Sequence, residues 1–301
     1  MASCYTGYLP AGSVSLGLRK QRSPHLWQVY KRVMDHPHKP AGESPQGALT
    51  YSSYLALDEL LAAQRPRSDE HDEMLFIIIH QVYELWFKQM LHELHEVQRR
   101  MKLGETTSTL RTLRRSLSIL KAAVANIDVL ETMTPTQFAS FRSRLDASSG
   151  FQSAQFRQLE ALMGRRDDSV LRHYAPDSSE YAAIKQELTS PNLFDSFLTY
   201  LSHRGYAVPT DRDVTQPLEA CEPVQDILIE VYAKDEGPAF VAEQMVDLDE
   251  GFQEWRYRHV MMVKRTIGDK MGTGGSSGVN YLQSTTFTPA FPDLWAVRSK
   301  L

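Results

Sequence analysis

Cysteine is almost missing from this 301-residue chain. Cys4 and Cys221 are the two present, far apart in sequence, so neither a disulfide framework nor a cysteine zinc site can be built within one chain, and a reducing cytoplasmic compartment is expected. Long apolar runs are missing as well. No window reaches the roughly 18 apolar residues that span a bilayer, and Met1 to Gly17 has no charged stretch followed by an apolar one, so neither membrane insertion nor secretion is expected. Positive charge is not in excess: 33 Lys+Arg against 37 Asp+Glu give a formal net charge of -4. That balance offers no basic field to nucleic acid or to an anionic membrane, and a small-molecule partner is expected instead. There is also no credible strand series, no internal repeat and no low-complexity tract beyond one Gly/Ser loop.

What is present is 42% hydrophobic and 23% charged, enough for a large core without covalent staples. Residues 1–48 carry scattered Pro, Gly, Ser and basic residues without a period and read as an irregular N-terminal arm. Residues 49–301 read as an all-α domain with a helical-bundle core. From Leu49 to Gln64 a short helical segment presents Tyr51, Tyr54, Leu55, Leu57, Leu60 and Leu61 on one wide face. Glu73 to Leu103 reads as a long helix stopped by Gly104. Its first half, Met74 to Ile79, is apolar on every side, which predicts a central position. Ser108 to Leu130 repeats Leu110, Leu113, Leu117, Leu120, Val124 and Ile127 in steps of three and four, a bundle seam. Thr134-Pro135 predicts a cap and first turn for a helix through Phe138 and Arg142, and Ser148-Ser149-Gly150 breaks it. Further helices are expected at 152–163, 179–188, 193–202 and 224–233. A last long one opens near Pro238 and ends at Gly268.

Two histidines interrupt these apolar faces. On the last long helix the stripe Val241, Met245, Leu248, Phe252, Trp255, His259, Met262 follows steps of four and three, and His259 stands where Leu or Met belongs. A lone imidazole there must hydrogen-bond, bind a metal, or bear a desolvation cost of about a few kcal/mol. His80 lies one turn after Phe76 and one turn before Glu84 in the most apolar helix. It reads either as a core histidine donating to a carbonyl or to Glu84, or, with His259, as one of two faces of a pocket.

A metal held by side chains alone fits poorly, since zinc wants three or four convergent ligands. His92-Glu93-Leu94-His95 has its histidines three apart where the zincin motif needs four, and it reads as a solvated face. A cofactor that brings its own metal and most of its ligands needs one histidine, and heme meets that description. Without Cys-x-x-Cys-His it would be bound non-covalently. Arg256 and Arg258 flank His259 and read equally as propionate partners or as a solvated basic face. Gly272 to Gly278 is not a P-loop, because Val279 stands where Lys is needed. It reads as a linker or as a lid over a small ligand. Arg142 shares a helical face with Phe138: either a surface ion pair, or a carboxylate clamp beside an aromatic wall, as an aromatic amino acid would require. Tyr51 and Tyr54 gain no function from composition.

Phe76-Ile77-Ile78-Ile79-His80-Gln81, Glu84-Leu85-Trp86, Leu130-Glu131-Thr132-Met133-Thr134-Pro135, Phe141-Arg142, Ser149 through Ser153, Trp255-Arg256-Tyr257-Arg258-His259 and Gly272 through Gly278 together resemble the tryptophan 2,3-dioxygenase family, in order, from about Leu49 to the C-terminus. The resemblance implies an all-α homotetramer with one b-type heme per subunit. It implies insertion of both atoms of O2 across the indole 2,3 bond of L-tryptophan, giving N-formylkynurenine. It makes His259 the proximal iron ligand, His80 the distal histidine facing the indole N–H, Phe76 a wall for the indole, and Ser149-Gly150 a turn against the heme edge. Arg142 then binds the substrate carboxylate, with Phe138 where bacterial relatives can carry Tyr. Thr273 in the lid contacts the ammonium or carboxylate end, and Tyr51, Tyr54 and Leu55 reach a neighbouring subunit's pocket. The pocket lacks an evident acid relay for O–O cleavage to water, which suits retention of both atoms. A heme monooxygenase that hydroxylates tryptophan or a methylated tryptophan, or forms an oxindole from it, stands as the alternative.

Overall fold

A computed structural model describes residues 49–146, 148–209, 211–268, 270 and 286–301. Contacts divide the chain into two units, residues 1–60 and 61–301. Every regular element among the described residues is helical.

In the first unit, Thr50 caps a four-residue helix, α1 (Tyr51–Tyr54), through a reciprocal hydrogen-bond pair with Ser53. The continuous helix expected from Leu49 to Gln64 does not form. Ala56 adopts a φ of 49°, a left-handed conformation that a non-glycine residue takes only at a break, and α2 (Leu57–Leu61) restarts after it. Leu49, Tyr51, Tyr54, Leu55 and Leu60 are all exposed.

Two 32-residue helices and one of 25 frame the second unit: α3 (His71–Lys102), α4 (Thr106–Leu130) and α10 (Glu236–Ile267). Acidic Asp72 and Glu73 in the first turn of α3, and Arg99, Arg100 and Lys102 in its last, suit the helix dipole. Gly104, with φ of 71°, turns the chain into α4. α4 packs against both other long helices. Leu113, Leu120, Val124 and Ile127 are buried there, while Leu110 and Leu117 are only partly so. The seam is rotated from the leucine repeat because Thr112 and Ser116 are buried too, their hydroxyls donating to the carbonyls of Ser108 and Thr112. Small satisfied side chains let the helices approach.

Around this frame lie α5 (Pro135–Arg142), α6 (Ala154–Leu162), α7 (Ser179–Thr189), α8 (Leu193–His203), α9 (Glu222–Lys234) and α11 (Pro292–Ala296). Thr134 caps α5 as expected, in a reciprocal box completed by Gln137. α10 begins two residues before Pro238, because the first turn has N–H groups to spare, and ends at Gly268 with φ of 61°. Short 3-10 turns at Gly150–Gln152, Asp168–His173 and Val297–Ser299 were not legible from periodicity. The position expected for α3 is also corrected. Met74, Ile78 and Leu85 are exposed, so part of the apolar surface of α3 is left open rather than covered all round. Among the described residues no helix is long and apolar enough to cross a membrane.

Candidate functional site

α3, α4, α5, α6 and α10 enclose a cavity of about 250 Å³. α10 contributes Trp255, Arg256, His259, Val260, Met262 and Val263, and α3 contributes Phe76, His80, Tyr83, Glu84 and Phe87. The two histidines singled out by their apolar seams thus line one space. The other six stripe residues on α10, Val241, Met245, Leu248, Phe252, Trp255 and Met262, are buried as the period requires.

His259 lies half-buried in the cavity wall. Its ring stacks on that of Trp255, one turn earlier, with centroids 5.1 Å apart and planes 9° from parallel. Burial pushes its pKa down to about 4, with His80 and Arg157 acting in the same direction, so at neutral pH the imidazole is uncharged and keeps a lone pair for a metal. On the other wall, His80 Nδ1 donates to the Phe76 carbonyl at 2.7 Å. A carbonyl only accepts, so Nδ1 carries the proton and Nε2 its lone pair. Burial lowers the His80 pKa, against the pull of the Phe76 carbonyl and Glu84. The core-histidine and pocket readings of His80 therefore describe the same side chain, through different nitrogens.

Phe76 is the hub of an apolar wall, 4.1 Å from the His80 ring centroid, 5.6 Å from Phe138 and 5.7 Å from Phe141. Phe138 and Arg142, one turn apart on α5, both line the cavity, as do Ser148, Ser149 and Gly150. Ser149 caps the 3-10 turn by accepting from the Phe151 N–H. A Cβ placed on Gly150 would meet nothing within 4 Å.

The other end of the cavity is charged, which the sequence did not disclose. Glu160, on α6, accepts from three guanidinium groups: Arg157, Arg165 at 3.2 Å and Arg256 at 3.3 Å. Arg157 also lies over the Phe151 ring at 4.3 Å. Glu84 accepts from Gln155 at 2.9 Å. Both carboxylates line the cavity. Each acid is tied to a fixed donor. Charged residues at helical spacing look alike in sequence whether they face water or a cavity, so no local signal marked them.

Arg258 does not share the site. It pairs with Asp128 and Glu131, so of the two arginines flanking His259 only Arg256 faces the cavity. His92 and His95 are exposed as expected, His95 pairing with Glu187 at 2.9 Å. Glu93 between them is buried against Arg115 and Gln89. Among the described residues no three His, Cys, Asp or Glu side chains group as a metal site. Tyr51, Tyr54 and Leu55 are exposed on the first unit, and Thr273 with the Gly272–Gly278 loop lies outside the described residues.

The family model for tryptophan 2,3-dioxygenase matches residues 34–203 and 189–301. The chain belongs to the tryptophan 2,3-dioxygenase family. A protein named tryptophan 2,3-dioxygenase from Anaeromyxobacter dehalogenans (strain 2CP-C) is 62% identical over 259 residues, covering 84% of this chain and 97% of the relative. Its namesake from Herpetosiphon aurantiacus is 54% identical, covering 84% and 99%. That from Caulobacter vibrioides is 43% identical, covering 84% and 98%. The residues that frame the cavity, from Phe76 on α3 to His259 on α10, all fall within the stretch matched by the family model.

Proposed function

We propose that this chain is a heme-dependent tryptophan 2,3-dioxygenase, inserting both atoms of O2 across the indole 2,3 bond of L-tryptophan to give N-formylkynurenine. The observation that carries the reading is that one cavity brings together a neutral histidine without a hydrogen-bond partner among the described residues and a second histidine whose tautomer is set. Heme fits the residues present. His259 makes no hydrogen bond or ion pair with any described residue, the buried Trp255 Nε1 in the same wall has no hydrogen-bond partner among the described residues, and Gly150, also in the wall, has open space where a Cβ would stand. When bound through His259, the heme supplies the iron at which dioxygen is activated.

The chain's own residues place the substrate. His80 Nε2 accepts from the indole N–H, because its other nitrogen is committed to the Phe76 carbonyl. Phe76 and Phe138 give the indole an apolar wall and keep water from the reacting carbons. Arg142 holds the carboxylate, with Thr273 at the same end, and Ser149 and Gly150 lie against the cofactor edge. Arg157 and Arg256, held around Glu160, present positive charge to the cofactor's own carboxylates. In a homotetramer, Tyr51, Tyr54 and Leu55 complete a neighbouring subunit's pocket. Their exposure, 76% and 72% for the tyrosines, is what such a contact would cover. A cytoplasmic location suits the paucity of cysteine.

Anaerobic reduction of the heme-loaded protein, then L-tryptophan and 18O2, followed by mass spectrometry, tests the reading. Two labelled oxygens in N-formylkynurenine are expected, and a product with one would establish the monooxygenase alternative. The variant H259A should lose the Soret band. Normal heme content in that variant would remove the ligand assignment.

A further inference from the structure

A ligand imidazole is usually oriented by the hydrogen bond its free ring N–H makes to a carboxylate, carbonyl or water. His259 has no such bond to a described residue. What it has is the Trp255 face. Residues four apart on a helix stand above one another, and side chains lean toward the N-terminus, so the imidazole at 259 lies back over the indole at 255. The 5.1 Å separation and 9° interplanar angle make an offset parallel stack, a favoured aromatic geometry.

The indole is itself immobilised. Phe156 of α6 lies 4.8 Å away, and the edges of Phe87 and Tyr83 of α3 meet it at 6.0 and 6.3 Å, near perpendicular. Tyr83 is in turn tied to α4 by its hydroxyl, which donates to the Ala123 carbonyl at 3.0 Å. Three helices therefore fix the plane of one indole. The lone pair of an imidazole nitrogen lies in its ring plane, so whatever fixes that plane fixes the direction in which the nitrogen can bond.

We propose that Trp255 is a positioning residue for His259: its clamped indole face, in place of a hydrogen bond from any described residue, holds the imidazole plane and aims the lone pair into the cavity. This rests on the reading of His259 as the iron ligand. A tryptophan that merely fills the core would be replaceable by any apolar side chain that keeps the fold, whereas a positioning tryptophan is replaceable only by a flat one.

The test compares W255F and W255L, as heme-loaded protein, by the iron–histidine stretching band in the resonance Raman spectrum of the ferrous state. Heme content and thermal unfolding are measured alongside. W255F should keep the parental band. W255L should shift and broaden it and retain heme about tenfold less tightly, the lower end of losses seen when groups supporting a metal ligand are removed. A folded W255L with parental band position and width overturns the proposal. If W255L does not fold, proton–carbon NMR of the parent without heme, labelled at histidine, decides. The ring protons of His259, assigned with H259Q, should be shifted upfield by the indole, and unshifted resonances overturn the stack. A parental protein without an iron–histidine band, or a band surviving in H259A, removes the ligand reading itself and leaves the NMR result on the stack standing.

Discussion

Arg142 and Glu73 illustrate how differently two charged residues can be used on neighbouring helices. Arg142 closes α5 and faces the cavity beside Phe138. If it receives the substrate carboxylate as a fork, R142K keeps the charge but loses the bidentate geometry. Loss of roughly 1.5 to 3 kcal/mol corresponds to a fall of about 10- to 150-fold in kcat/KM for L-tryptophan, with heme content unchanged. Steady-state kinetics with tryptophan and with an analogue lacking the carboxylate checks this, since the analogue should not distinguish the two proteins. Glu73 is buried at the start of α3. Burial alone would raise its pKa. Hydrogen bonds from the Ser68 hydroxyl and from the Arg67 and Ser68 N–H groups, at 2.5 to 2.8 Å, outweigh it and hold the pKa below the usual glutamate value of 4.5. A depressed folded pKa means the unfolded chain takes up the proton first. The contribution is therefore complete above about 4.5 and is lost as pH falls through the folded value. Chemical denaturation should show E73Q less stable than the parent at pH 7, with the gap closing in acid. A gap that persists to low pH would point to packing rather than charge. Of the site, His80 and His259 were legible because a polar residue on an apolar period is conspicuous. Glu84, Arg157 and Glu160 were not, because a charge at helical spacing carries no mark of the space it faces.

At the scale of elements, the long helices followed their periods and the short ones followed their backbone. α10 tracks its apolar stripe from Val241 to Met262, about six turns, and α5 begins at the Thr134-Pro135 signal. The apolar face after Leu49 promised one helix and yields two, because Ala56 leaves the helical conformation. A pattern of side chains does not report that turn. Nor does it report how closely helices approach. Gly251 sits on α10 two turns before His259, where a Cβ would come within 2.7 Å of a Leu120 methyl on α4. Alanine there trades a gain in helix propensity of about 1 kcal/mol against displacement of one methyl. Valine has no such trade. G251V should lower stability by about 1 to 3 kcal/mol, the range for overpacking, and because α4 and α10 both wall the cavity it should also weaken heme retention. Equilibrium denaturation and heme transfer to apomyoglobin measure the two effects. A fall in stability without faster heme loss would show that the helix crossing and the cavity wall are uncoupled.

In the whole molecule, the C-terminal segment closes the bundle through two buried carboxylates rather than through a long apolar face. Asp249 of α10 accepts from the backbone N–H groups of Ala290 and Phe291, at 2.8 and 3.1 Å, and from Trp295 Nε1 at 2.8 Å. Asp293 accepts from the Cys221 N–H at 2.7 Å and from Gln225 at 2.9 Å, which ties the same segment to the start of α9. Phe291, Leu294 and Val297 are thereby held fully buried. Because Asp249 serves three donors of this segment, besides Gln253 on its own helix, D249A leaves three N–H groups of the segment without an acceptor in an interior that water does not reach freely. At about 1 to 3 kcal/mol for each buried unsatisfied group, the loss exceeds that of any single contact in the segment. The segment should release before the frame of α3, α4 and α10 does, since those helices pack on one another independently of it. Limited proteolysis of D249A, followed by mass spectrometry, should therefore show early cleavage within residues 286–301 while the remainder persists. D249N, which keeps one acceptor oxygen, should fall between. Simultaneous loss of all three long helices would mean instead that the segment belongs to the same cooperative unit as the frame.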